Sequence, residues 1–211
     1  MKIILVEDEI SCIEDFEVTF QRYIEQHNVA GYKYEIAESL EEALSKLDSS
    51  FDAAIIDLKL KDNINGGNEV IDRIKNNFRI PIAVLTGTPN NLDFESAPLM
   101  KLFTRDEGYD NALDFLVGIF NTGLTQVFGG SGLLEKALRQ VFWKSIPESL
   151  EHFTPESPYC GLTHKQLLRF AMSHIIEELE STNSQDPSNI AETYIYPGQE
   201  HEKSLAIQYL F

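Results

Sequence analysis

Apolar and polar positions follow two different periods along the first 120 residues. Short unbroken apolar runs occupy residues 2–6 (KIILV), 53–56 (AAII) and 80–85 (IPIAVL), each bounded by acidic or turn-forming residues. Runs of that length read as strands buried on both faces, as in a parallel sheet covered by helices. Residues 32–37 and 99–104 carry weaker strand signals. Between these runs apolar residues recur every three or four positions, the helical period. Ile13, Phe16, Val18, Phe20, Tyr23 and Ile24, mostly three or four positions apart, mark a helix over 11–27, closed by residues 28–31. A helix over 40–47 opens with Ser39 as N-cap and Glu42 three positions on. Val70, Ile71 and Ile74 mark a third, and Leu113, Leu116, Val117 and Phe120 the last. Residues 90–96 are short and polar, with room for at most two turns. Strand then helix, five times over, predicts an α/β fold: a five-stranded doubly wound parallel sheet over residues 1–122.

The pattern changes after Phe120. Residues 123–132 are glycine-rich and read as a flexible linker, with Ser131 capping the next helix. The Gly129–Gly132 stretch lacks the lysine and hydroxyl of a phosphate-binding P-loop. Residues 133–146 form a helix with Leu134, Ala137, Leu138, Val141 and Phe142 on one face, ended by Pro147. A second helix over 163–179 places Leu167, Leu168, Ala171, Met172, Ile175, Ile176 and Leu179 on one broad face, a core or partner surface. Then come a polar loop at 183–189, a strand-like TYIYP and an apolar end at 205–211. Residues 133–211 are therefore expected to form a smaller, mainly helical output or interaction domain.

Composition narrows the function. No apolar run approaches the roughly 20 residues of a membrane-spanning helix. The first residues run straight into acids without a signal-peptide core, so a cytoplasmic protein is expected. Cys12 and Cys160 are too far apart in sequence to suggest a disulfide framework or a zinc site. Of His152, His164, His174 and His201, only His164 and His174 share a predicted helix, and nearly three turns separate them. The net charge of −17 is spread over both parts. Residues 1–120 hold 11 of the 17 basic and 23 of the 34 acidic residues, leaving 6 and 11 for the remainder. Phosphate neutralisation needs Lys and Arg, so DNA binding is disfavoured in either part. Residues 121–211 show no nucleophile–base pair, so no separate enzymatic output is expected.

Carboxylates at strand ends supply the chemistry. In a doubly wound sheet the carboxyl ends of the first, third, fourth and fifth strands share one edge, where ligands bind. These ends carry Glu7 and Asp8, Asp57, Thr86, and Arg105. Acids packed together repel one another unless a cation sits among them, and Mg2+ suits an all-oxygen site that leaves room for phosphoryl oxygens. A hydroxyl and a guanidinium aimed at the same spot complete a phosphoryl site with Asp57 as acceptor.

IILVEDE, AIIDLKLKD with its following glycines, AVLTG and a cation after the fifth strand, in that order, resemble the receiver domain of two-component response regulators. The resemblance covers about residues 1–120. It implies that Asp57 is the phosphoacceptor, Asp8 a direct Mg2+ ligand, Glu7 a ligand through water and the Lys59 carbonyl a third ligand. Thr86 matches the hydroxyl that follows the phosphoryl group. Arg105 falls where the family has lysine, with Lys101 the alternative. The family's following proline is missing, Leu102 stands at the switch aromatic with Phe103 beside it, and the fourth helix looks shortened. The resemblance also implies a histidine kinase or phosphotransfer protein as donor. A downstream protein effector is expected at residues 133–211, and a homodimer is compatible with the sequence. The alternative is a receiver retained as a binding adaptor that never carries phosphate.

Overall fold

A computed structural model describes residues 1–145, except 61, 62, 64, 88 and 96, together with residues 164–183. The chain divides into two compact units, Met1–Lys136 and Ala137–Phe211. Five parallel strands build the first: β1 (Lys2–Val6), β2 (Lys33–Ala37), β3 (Ala53–Ile56), β4 (Ile82–Thr86) and β5 (Met100–Thr104). They stand in the order β2-β1-β3-β4-β5. That is the flavodoxin-like order, with its switch point between β1 and β3.

Successive strand residues point to opposite faces, and the core divides accordingly. Ile4, Val6, Ala54, Ile56, Ile82 and Val84 pack with α2 (Leu40–Lys46) and α3 (Gly66–Asn77). Ile3, Leu5, Ala53, Ile55, Ala83 and Leu85 pack with α1 (Ile10–His27) and α4 (Gly108–Asn121). Every residue of β3 and β4 is buried, as the unbroken apolar runs predict. Burying each such Ile, Leu or Val contributes about 1.5–3 kcal/mol, which anchors the strand ends that carry the acids. Asn28 closes α1 in the left-handed region at φ 51°, its N–H on the Ile24 carbonyl. Ser39 caps α2 as expected, accepting from the Glu42 N–H, while the Glu42 side chain reaches past it to the N–H of Glu38.

The helix of the expected fourth strand–helix repeat, between β4 and β5, is not formed among the described residues. In place of a helix over 90–96 there is one 3-10 turn, Pro89–Asn91. Its Asn and Asp residues favour turns, and Leu92 and Phe94, two positions apart, cannot share a helical face. Both instead pack on the α2–α3 core as single anchors. The buried Asn68 of α3 holds this loop. Its Nδ2 donates to the Asn91 carbonyl at 2.7 Å, and its Oδ1 accepts from the Asp93 N–H at 3.1 Å.

Residues 123–132, expected as a flexible linker, contain a short helix, α5 (Leu124–Phe128), with Thr125 buried. Arg79 Nε donates to the Phe128 carbonyl, and Ser131 Oγ donates to the Ser49 carbonyl at 3.0 Å, so Ser131 serves as a tie here, not as a cap. A Cβ on Gly130 would collide with the Ser49 backbone, so the glycine permits close docking.

Where one helix over 133–146 was expected, α6 (Leu133–Gln140) is followed by a π-helical turn, Val141–Ser145. In the second unit α7 (His164–Asn183) continues four residues past the expected end at 179. Ile175 is buried, whereas Leu168 and Met172 are exposed. His174 Nδ1 lies 3.3 Å from Glu177 on the same helix. Pro147, His152, Cys160, His201, TYIYP and residues 205–211 lie outside the described residues. Among the described residues no helix is long and apolar enough to cross a membrane.

Candidate functional site

Val6 pairs with Ile56, so Glu7 and Asp57 leave neighbouring strands at the same level of the sheet. The Asp57 N–H donates to the Val6 carbonyl at 2.9 Å, which extends the ladder to the acid itself. Glu7 turns back on its own chain: its Oε1 accepts from the N–H groups of Asp8 at 3.1 Å and Glu9 at 3.0 Å, just before α1 begins. Carboxylate oxygens of Glu7, Asp8 and Asp57 lie within 4.8 Å of one another. Glu7 is 2% and Asp57 6% exposed, so the repulsion between them is only weakly screened by water.

The loop after β3 sets Asp57 against α3. Leu60 and Asn63 exchange backbone hydrogen bonds, Asn63 Oδ1 accepts from the Asn65 N–H, and the Gly67 N–H donates to the Leu58 carbonyl at 3.0 Å. A Cβ on Gly67 would overlap the Asp57 carbonyl and the Leu58 Cα. The side chain of Lys59, whose carbonyl is the remaining expected ligand, is exposed. Thr86 is fully buried at the last position of β4, opposite Thr104 of β5.

Arg105, just after β5, reaches the acids. Its Nη2 donates to Asp57 Oδ2 at 2.9 Å and to Glu7 Oε2 at 3.2 Å. Its Nη1 donates to Glu9 Oε2 at 3.4 Å and meets the Cys12 sulfur. Lys101, the alternative cation, lies elsewhere on β5, with its ammonium 4.9 Å from the centre of the Phe103 ring. Phe103 is buried against Phe115, and Leu102 packs on the opposite core. Glu9 and Cys12 are the contacts that the sequence pattern does not disclose. Glu9 stands in the acidic run EDE, which is a signal of sorts, but nothing local ties Cys12 to a residue 93 positions away.

Burial pushes the Glu7 carboxyl up to about 7, and the charges of Asp57 and Asp8 add to the rise, while the Glu9 N–H and Arg105 oppose it. The Arg105 guanidinium is held above its ordinary value by Glu7 and Asp57 against the opposing effect of burial, and so stays charged. Burial, reinforced by Glu7 and Glu9, raises the Cys12 thiol, although Arg105 opposes this. The neutral thiol is thus the resting form. Asp57 is left half-satisfied: Oδ2 has the guanidinium, whereas the buried Oδ1 has no hydrogen-bond partner among the described residues. An unpaired buried acceptor is costly. Three clustered carboxylates with one such oxygen are a donor set that fits a hard, oxygen-seeking divalent cation.

No protein-family model matches the chain, and no curated protein matches it. Solved structures of response regulator receivers do. The CheY-like receiver domain from Methylobacillus flagellatus is 22% identical at a TM-score of 0.37, over 49% of this chain and 84% of that one. The receiver protein from Sinorhizobium medicae is 19% identical at a TM-score of 0.42, over 57% and 94%. That from Pseudoalteromonas atlantica is 14% identical at 0.42, over 57% and 98%. The fold is read from the strand order and the position of the switch point. On that topology, residues 1–121 have the flavodoxin-like fold.

Proposed function

We propose that the protein is a response regulator that accepts a phosphoryl group on Asp57 in a Mg2+-dependent reaction. The observation that carries the reading is the half-satisfied Asp57 carboxylate, clustered with Glu7 and Asp8 at the switch point and facing the Arg105 guanidinium. Asp8, Glu7 and Asp57, with the Lys59 carbonyl, would hold the metal, which when bound neutralises charge on the acids and on phosphoryl oxygens. A carboxylate oxygen of Asp57 attacks the phosphorus of a phosphohistidine on a partner kinase or phosphotransfer protein. The P–N bond breaks, its electron pair stays on the imidazole nitrogen, which takes up a proton, and Asp57 becomes an acyl phosphate. Arg105 donates to the oxygens that gain charge, and the Thr86 hydroxyl moves toward the phosphoryl group. Positioning and charge supply most of the acceleration. Residues 133–211 carry the signal to a protein partner, since both parts of the chain are acidic and disfavour DNA.

The test is acetyl phosphate with Mg2+ on the full chain, read by intact mass. The expected result is one added phosphoryl group, lost in Asp57→Asn and on chelation. No adduct, or an adduct that persists in Asp57→Asn, sinks the reading. One observation favours a second reading, an adaptor that never carries phosphate: Arg105 already bonds two of the three acids. Capture of the same protein partner by wild type and Asp57→Ala alike, with or without beryllofluoride, would support it.

A further inference from the structure

We infer that Arg105 is a tethered cation that competes with a divalent ion for Glu7 and Asp57, and that Glu9 keeps the guanidinium within reach when the ion enters. The inference rests on the metal site proposed above. Its basis is the way the fork divides. One arm, Nη2, bonds Asp57 Oδ2 at 2.9 Å and Glu7 Oε2 at 3.2 Å, two carboxylates of the cluster in which the ion would sit. The other arm, Nη1, points away from the cluster to Glu9 Oε2 at 3.4 Å and to the Cys12 sulfur. A guanidinium can hold both sets at once because its donors are fixed in a planar fork, whereas a lysine ammonium is a single compact point. A divalent ion among Glu7, Asp8 and Asp57 would lie within a few ångströms of Nη2, where like charges in a largely buried site repel strongly. The side chain has somewhere to go: it is 30% exposed, and Glu9, at 62%, lies toward solvent. Even a Cβ on Gly87 would stand 3.8 Å from its Cδ and Nε, an ordinary contact that does not jam the stem. The Glu9 contact therefore provides an outer seat for a guanidinium released from the inner acids.

Calorimetric Mg2+ titration of the full chain, with no phosphodonor present, tests this. Arg105→Gln is expected to bind Mg2+ about tenfold more tightly, the scale of one charge-assisted hydrogen bond. Arg105→Lys keeps the net charge and is also expected to bind more tightly than wild type, because the single ammonium cannot bridge both acid sets. Equal affinity in Arg105→Lys and wild type would reduce the effect to net charge and overturn the competition. Glu9→Gln is expected to change Mg2+ affinity in wild type far more than in the Arg105→Gln background. Equal changes in both backgrounds would overturn the outer-seat role, since the cycle isolates the Glu9–Arg105 coupling. Failure of every variant and of wild type to bind Mg2+ would instead overturn the metal reading. Binding in Arg105→Gln but not in wild type would support the competition in its strongest form. Urea unfolding of each variant identifies any that are not folded, and Arg105→Lys carries the test if Arg105→Gln is lost.

Discussion

The two connections beside the acid pocket are built on opposite principles. The one after β3, residues 58–65, is organised locally: Leu60 and Asn63 bond each other, Asn63 turns the chain with its own side chain, and Gly67 presses α3 onto the strand end. The one after β4, residues 87–99, has a single 3-10 turn among its described residues and is held from outside, by one amide of α3 and by Leu92 and Phe94. The loop that leads from Asp57 into α3 is thus set by short-range geometry, whereas the chain that follows Thr86 depends on a contact more than 20 residues away in sequence. One connection beside the pocket is held by its own residues, and its neighbour is tied down from another element.

That contrast can be broken from either side. The largest effect is expected from Gly67→Ala, because the new Cβ meets backbone that cannot yield without moving Asp57. A loss of about 3 kcal/mol is expected in urea unfolding, and a fully stable Gly67→Ala protein would show that the local loop is softer than its packing implies. Asn68→Leu should cost less, about 2 kcal/mol for two lost hydrogen bonds and two backbone groups left unpaired. Its distinguishing mark is hydrogen exchange, faster at the Asp93 amide and unchanged at the Asp57 amide. Equal acceleration at both would mean that the two connections are one cooperative unit.

A smaller effect separates the pocket by pH. Glu7 is raised to about 7 from an ordinary 4.5, so the folded protein holds this proton more tightly than the unfolded chain. Its contribution to stability is therefore fully present below about 4.5 and is lost as pH rises toward 7, opposite to the usual salt-bridged carboxylate. Unfolding measured across that window should show the trend in wild type, and Glu7→Gln should flatten it. Mg2+ affinity should move the other way, weakening below pH 7 because the ion must displace the proton. The smallest effect belongs to Lys101→Ala, whose exposed side chain meets only the Phe103 ring among the contacts described. Stability within about 0.5 kcal/mol of wild type and unaltered Mg2+ binding are expected; a weakened Mg2+ response would reopen the choice between the two cations.

Much of this was legible in the sequence, for a reason that particular residues make clear. β1 spans KIILV, its four apolar positions Ile3–Val6 all buried and its limits marked by charged residues, Lys2 at the start and Glu7 just after the end. Glu7, Asp8, Asp57 and Arg105 come together because strand order alone brings those ends to one edge. The shortened fourth crossover was visible in NNLDFES, but its replacement was not, since nothing in Asn68 itself says that its amide meets Asn91 and Asp93. The short helix and the close docking inside residues 123–132 were hidden for a related reason. Glycine reads as backbone freedom, yet at Gly130 its value is the missing Cβ that lets the chain lie against Ser49.

The Asn68 clasp also has a kinetic consequence. The loop after β4 is held by an amide that only a folded α3 presents, so its order is conditional on that helix. Partial opening of the native protein should therefore begin there, with the strands and Asp57 still in place. Hydrogen exchange faster at residues 91–93 than at the amides of β3 and β4 is the expected sign of that opening.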